Sequence, residues 1–406
     1  MDSISRCMET PENISRTDSL PLSDISATNN SSSNTRKSQR FAYWQQRVYG
    51  QLKNTLEISH GENATLFSME GLRGLAVFLV FWVHYSSLIA PWTSGSSVNV
   101  ARFIHDFGHL GVDLFFVLSG YLIYGSIIGK DFFSASKYAK RRIERIYPTF
   151  LVVFSIYIAL SFVFPGESKL PAGTSEKYAY IIQNLLFIPG LFDINPIITV
   201  AWSLSYEVFF YLLIPCVIFL LRLKSWTVEQ RLLFWGVVAV MGFALFSMWN
   251  GPSRMLMFLS GILLYELYAN KQFMLNKGGT RFLLAAIIIF GFRTYSGFSY
   301  STAIFCLFFL LLLLCLCAFN PQTKAYKWLT YTPLRWLGNM SYSYYLIHGL
   351  TLKCCFLIFG ILVPASFSSL YIYYWLWLPL FAVTIVSSFC LFWVVERPFS
   401  LKVKAG

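Results

Sequence analysis

Ionisable side chains inside otherwise apolar stretches are where this chain can do chemistry, because such a group is costly in hydrocarbon unless it meets a partner or a polar cavity. His84 closes the stretch GLRGLAVFLVFWVH (71–84), and Arg73 stands eleven residues before it. On a helix the two share a face, about 16 Å apart along the axis. An imidazole titrates near neutrality and can act as a general base, while a guanidinium grips anions through several donors. The plainer alternatives are a charge that orients the helix in the membrane and a histidine bonded to a neighbouring helix. Asp113, in GHLGVDLFFVLSGYLIYG (108–125), is placed at a depth similar to His84. There it could orient the imidazole, or simply complement a helix N-terminus. Glu207, in AWSLSYEVFFYLL (201–213), falls near the same depth with Tyr211 one turn on, and could assist proton transfer or hold a hydroxyl-bearing acceptor. Arg142 and Arg145, in KRRIERIYP (140–148), would project together just ahead of Pro148, a spacing suited to a phosphate. Tyr345 and His348, on one face of LGNMSYSYYLIHG (337–349), read as an interhelical hydrogen bond, and Glu396 and Arg397 before Pro398 read as a membrane stop.

The elements that must position these groups are membrane helices. Hydrophobic residues make up 56% of the chain and charged residues only 13%, more apolar surface than a soluble domain of this length can hide. The apolar stretches lie at 72–90, 109–128, 147–164, 200–221, 231–249, 254–269, 281–295, 300–319, 340–363 and 371–395. Their lengths suit helices crossing about 30 Å of hydrocarbon, so the expected fold is an all-α polytopic bundle of about ten transmembrane helices. The apolar segment 178–190 is too short to span and is expected to be re-entrant or interfacial. Without it, Lys- and Arg-rich connections alternate with poor ones throughout, which puts both termini in the cytoplasm.

The net charge of +13 raises nucleic acid as a partner, but the basic residues sit in short segments between apolar runs. Topology accounts for them, and the partner expected is the lipid bilayer. The eight cysteines have no metal-ligand spacing, so no metal is expected and they read as packing residues. Residues 1–68 are expected to be a cytoplasmic tail, largely disordered and without a cleavable signal peptide, with a basic amphipathic surface helix at 36–57. The membrane domain then runs over 69–400.

Taken in order, GLRGLAVFLVFWVH, GVDLFFVLSGYLI, the RxxRIxP element of Arg142, Arg145, Ile146 and Pro148, then NLLF, WSLSYEVFFY, SYSYYLIH and VERP resemble the acyltransferase-3 family of integral-membrane O-acyltransferases. Each piece is weak alone, whereas the ordered set covers almost the whole hydrophobic region. The resemblance implies transfer of an acyl group, usually acetyl, from cytoplasmic acyl-coenzyme A to a hydroxyl of a glycan or other metabolite, in the plasma or inner membrane. It makes Arg73, His84, Arg142 and Arg145 the essential residues. On this reading the donor phosphates meet Arg142 and Arg145, with Arg73 at the same edge. His84 is then the base, and Asp113 or Glu207 orients it. The last motif lies close to Gly406, which suits the stand-alone form of the family. The rival class is a glycan or small-molecule transporter or flippase, which would use the same buried charges as a substrate or proton path, although no repeat of paired broken helices is visible.

Overall fold

The structure, a computed structural model, describes residues 43, 46–58, 64–269, 279–295, 299–364 and 366–402. The expected disordered tail, up to residue 42, lies outside the described residues; of the expected surface helix at 36–57, residues 46–56 are helical. The chain divides into Met1–Asn54 and Thr55–Gly406, and everything below concerns the second unit.

That unit is all-α among the described residues. Its helices are α1 (Ala64–Ile89), α2 (Ser96–Gly108), α3 (Leu110–Ile128), α4 (Ala135–Val163), α5 (Thr174–Leu185), α6 (Trp202–Leu220) and α7 (Val228–Trp249). They continue with α8 (Met257–Ala269), α9 (Gly279–Tyr295), α10 (Tyr300–Phe319), α11 (Lys324–Leu329), α12 (Thr332–Asn339), α13 (Ser341–Leu362) and α14 (Leu370–Leu391), and a π-helical segment, Phe392–Ser400, ends the fold. Among the described residues, eight helical stretches are long and apolar enough to cross a membrane, and the protein is a multi-pass integral membrane protein. Lipid as the solvent also explains the outer surface. Leu212, Leu220, Ile361 and Trp375 are between 68% and 83% exposed, which water would penalise and acyl chains do not.

All ten apolar stretches are helical, but two are shorter than the rest: α8 has 13 residues after a 3-10 turn and α9 has 17. Gly251 and Pro252 delay the start of α8, and by helix rise it reaches only about 20 Å. It compensates by position, since Met257, Phe258, Ser260, Gly261, Ile262, Leu264 and Glu266 are buried against its neighbours α3, α7 and α10. The segment 178–190 holds most of α5, a 12-residue helix too short to span, followed by irregular chain up to the start of α6.

Helix α1 is the hub, packed against α2, α3, α10, α11, α12, α13 and α14. Because lipid tails are as apolar as leucine, association within a membrane depends on close packing, and small residues permit it. Gly120 and Gly261 show the effect between α3 and α8: a Cβ on Gly120 would lie 2.2 Å from the Phe258 carbonyl oxygen, and one on Gly261 would lie 2.0 Å from that of Val117. We expect Gly261→Val to separate these backbones and destabilise the protein by about 1–3 kcal/mol, more if the helices cannot shift. The check is the melting temperature in detergent, beside Gly236→Val, where a Cβ would meet open space and little change is expected.

Candidate active site

Helix α4 begins with a cap, the Ser134 hydroxyl accepting from the Lys137 amide, and it runs unbroken for 29 residues from basic to apolar sequence. Continuity carries Arg142 and Arg145 from the helix start into the bundle, and Pro148 is tolerated inside the helix because the surrounding helices support it. The two guanidiniums, Arg73 of α1 and Glu207 of α6 line one cavity. Ser119 of α3, Ser203 and Tyr211 of α6, and Tyr342 and Tyr345 of α13 complete its polar wall, with Phe115, Phe116 and Leu204 among the apolar lining. Four of the six residues singled out from the sequence are thus brought together: Arg73, Arg142, Arg145 and Glu207.

Their electrostatic states differ. Arg145 donates from Nη1 to Glu396 Oε1 at 2.7 Å, and Glu396 Oε2 accepts from the Ser343 amide at 2.9 Å and its hydroxyl at 2.6 Å. This carboxylate is fully buried and is paired with an arginine that lines the cavity. Among the described residues Arg142 forms no ion pair with a carboxylate. Its guanidinium lies between the rings of Tyr138 and Tyr211, 5.1 Å and 5.0 Å from their centroids, with only a 3.4 Å contact from Nη2 to the Ser126 hydroxyl, and its Nε is buried and unpaired. Arg73 makes neither a hydrogen bond nor an ion pair among the described residues, its electrostatic neighbours being Arg145, Glu207, Glu396 and Tyr211. Glu207 Oε1 accepts from Ser119 at 2.9 Å and from Tyr211 at 2.5 Å.

Elsewhere in the unit, buried arginines are neutralised: Arg231 by Glu266, Arg254 by Asp113, and Arg335 by Glu57 and Glu70. Arg73 and Arg142, which line the cavity, make no such ion pair among the described residues. The two members of the RxxR pair differ in that Arg145 is matched by an acid of the chain and, among the described residues, Arg142 is not.

Asp113 and His84 sit apart from this cavity. Asp113 Oδ2 accepts from Arg254 Nη1 at 2.6 Å, while the same guanidinium reaches the His109 carbonyl at 3.4 Å and the Tyr300 hydroxyl at 3.2 Å. The expectation that Asp113 orients His84 meets a different arrangement, because the buried cation of α8's leading turn takes that carboxylate. His84 makes no hydrogen bond among the described residues, and its ring lies 4.9 Å, centroid to centroid, from that of His348. His348 in turn lies 6.2 Å from the ring of Tyr345, which does line the cavity. Tyr345 donates to the Val200 carbonyl at 3.0 Å and shares a 2.6 Å hydrogen bond with Ser203, so it forms a braced partition between the cavity and the two imidazoles. Sequence reading gave Glu396 and His348 structural roles; the contacts across helices pair Glu396 with Arg145 and set the His348 ring beside that of His84. No group of three or more His, Cys, Asp or Glu able to hold a metal occurs among the described residues.

The fold and site define a multi-pass membrane helix bundle with a buried, positively charged cavity. A family model described as an acyltransferase domain (Acyl_transf_3) matches residues 66–397, and the chain belongs to this acyltransferase-3 family. Among curated proteins it is similar to the O-acetyltransferase OatA of Staphylococcus aureus (strain NCTC 8325), at 28% identity over 320 residues, covering 69% of this chain and 50% of that one. It is also similar to the peptidoglycan O-acetyltransferase OatA of Listeria monocytogenes, at 29% identity with 69% and 48% covered. The chain thus spans about half the length of the curated relatives it matches. No solved structure matches it.

The accounting of charge yields an expected outcome. Glu396→Gln strands the Arg145 cation and should destabilise the protein by about 3–5 kcal/mol. Arg73→Ala and Arg142→Ala remove cations that make no ion pair among the described residues, so the ligand-free protein should melt close to the wild type. Tryptophan-fluorescence melting curves in one detergent check both, and equal losses for all three variants would show that Arg73 and Arg142 are structural.

Proposed function

We propose that this protein is an O-acyltransferase that takes an acyl group, acetyl in the simplest case, from acyl-coenzyme A and transfers it to a hydroxyl of a glycan. The observation that carries the reading is one cavity into which two guanidiniums, Arg73 and Arg142, project without an ion pair to a carboxylate among the described residues. A buried cation left unpaired is costly, and an anionic ligand removes that cost. The donor phosphates supply the anion, and Arg142 offers a planar fork suited to them. Arg145, already neutralised by Glu396, braces the cavity floor and is not the second jaw of a clamp. The membrane family and the O-acetyltransferase relatives support the acyl chemistry, and the printed acceptor of the Listeria relative, peptidoglycan, supports a glycan hydroxyl here.

In this reading both termini are cytoplasmic, residues 69–400 form the catalytic unit, and the donor enters at the end of the bundle that holds the start of α4. Its thioester passes the Tyr345 partition to meet His84. The imidazole takes the proton of the acceptor hydroxyl as the oxygen attacks the thioester carbonyl, a contribution of roughly 10²–10⁴-fold. Glu207 holds the polar wall through Ser119 and Tyr211 and is placed to accept a hydrogen bond from the acceptor.

The test is protein reconstituted in nanodiscs with radiolabelled acetyl-coenzyme A and soluble peptidoglycan fragments, followed by label transfer and free thiol. Loss of one charge-assisted contact in Arg142→Ala should raise the donor KM by roughly 10–100-fold. His84→Ala should lower kcat by roughly 10²–10⁴-fold while donor binding persists. Movement of unmodified glycan across the bilayer without thioester consumption would overturn the reading in favour of a transporter.

A further inference from the structure

The base assigned above lacks the partner that normally fixes an imidazole. A histidine acting as a base needs its second nitrogen held, so that the tautomer is fixed and the imidazolium formed in the reaction is stabilised. Both carboxylates expected to do this are engaged elsewhere, Asp113 by Arg254 and Glu207 by Ser119 and Tyr211. The electrostatic neighbours of His84 are three histidines, His348, His109 and His105, and no carboxylate.

His348 is built differently from a histidine that merely fills space. It is fully buried on α13, its ring is stacked on Tyr344 at 5.1 Å and 12°, and Tyr344 is itself anchored through its hydroxyl to Thr384 at 2.9 Å. The Nδ1 atom lies 2.8 Å from the Tyr344 carbonyl oxygen, which can only accept, so Nδ1 carries the proton. Nε2 is therefore the lone-pair nitrogen, and it is buried with no partner. A buried acceptor left empty calls for a donor. The neighbouring imidazole is that of His84, edge-on at 64° and 4.9 Å between centroids. Two imidazoles joined nitrogen to nitrogen by a hydrogen bond of about 3 Å have centroids roughly 5 Å apart, so a turn of the His84 ring closes the contact.

We propose that His348 is the positioning residue of the His84 base, its Nε2 accepting a hydrogen bond from the His84 ring N–H in place of a carboxylate. The inference rests on the reading of His84 as the base. Nδ1–H of His348 is spent on the Tyr344 carbonyl, so Nε2 can only accept and His84 is held with its other nitrogen free. As the acceptor oxygen bonds to the thioester carbonyl carbon, its proton moves to that free nitrogen. The carbon–sulfur bond then breaks, and the departing thiolate takes the proton from His84 to leave as the thiol. Both nitrogens of His84 carry protons in between, and the one facing His348 donates to Nε2. A neutral partner suits this depth, because a carboxylate there would add a second buried charge whenever the base is neutral.

Two variants separate positioning from packing. His348→Asn keeps an amide N–H for the Tyr344 carbonyl and removes the acceptor at Nε2, whereas His348→Gln restores a side-chain oxygen near that place. In the reconstituted full chain, with acetyl-coenzyme A and peptidoglycan fragments, His348→Asn should lower kcat by about 10²-fold with the donor KM within about twofold, and His348→Gln should regain about tenfold. A second readout needs no turnover. The chain has five histidines, so histidine-selective 15N labelling gives a readable imidazole spectrum. A nitrogen–nitrogen coupling between His84 and His348 is expected, absent in His348→Asn. Full kcat in His348→Asn, or no coupling in the wild type, overturns the proposal. Failure of the wild type to consume acetyl-coenzyme A would remove the donor reading, and the coupling would still decide whether the imidazole pair exists.

Discussion

A guanidinium held between helices in hydrocarbon must have an anion beside it, because neither lipid nor neighbouring apolar side chains can replace the water it has lost. Most of the buried arginines of this bundle meet that demand within the chain. Arg145 does so across more than two hundred residues of sequence, joining α4 to the closing π-helical segment through Glu396. Arg335 ties α12 to Glu70 of α1 and to Glu57, and Arg254 ties the start of α8 to Asp113 of α3. These pairs add little net stability over an apolar replacement, but their geometry admits few alternative arrangements of the helices. The two arginines left out of the pairing then become informative, since both line the same cavity.

The hub position of α1 follows from the same setting. Without a hydrophobic drive between helices, the backbone must come close for dispersion and weak polar contacts to accumulate, and glycine is what lets it. Gly71 and Gly74 of α1 sit directly against carbonyl oxygens of Leu329 and Leu334, as Gly111 of α3 sits against that of Ala76. The helix carrying both Arg73 and His84 is thereby packed closely on several sides, which fixes its place between the cavity and the ring contact of His84 with His348. Chemistry that must occur at a defined distance from an anchored phosphate gains from such a frame.

Tyr345 is the residue where these two regions meet. It lines the cavity, braces itself on Ser203 and the Val200 carbonyl, and lies beside His348. Two hydrogen bonds at its hydroxyl and ring contacts with Phe115 and His348 hold this side chain in place, so the cavity wall beside the histidines keeps a fixed position.

The sequence by itself determined the solvent and the class. Apolar stretches of spanning length leave a helical membrane bundle as the available fold, and the ordered motifs from GLRG to VERP carry the family. Helical spacing also brought Arg142 and Arg145 to one region and singled out Glu207 as a buried acid able to assist proton transfer or hold an acceptor, since periodicity within one helix and hydropathic depth are local properties. What it could not decide was partnership. Arg142 and Arg145 have equivalent spacing, yet only the packing of the closing segment against α4 gives one of them a carboxylate. Asp113 and His84 share a depth, but the rotation of α3 and the arrival of α8 hand the acid to Arg254. His348 and Glu396 looked ordinary because their significance lies in contacts across helices. Depth is encoded along a helix, whereas the facing residue is set by how whole helices rotate and interlock, and that is a property of the tertiary structure alone.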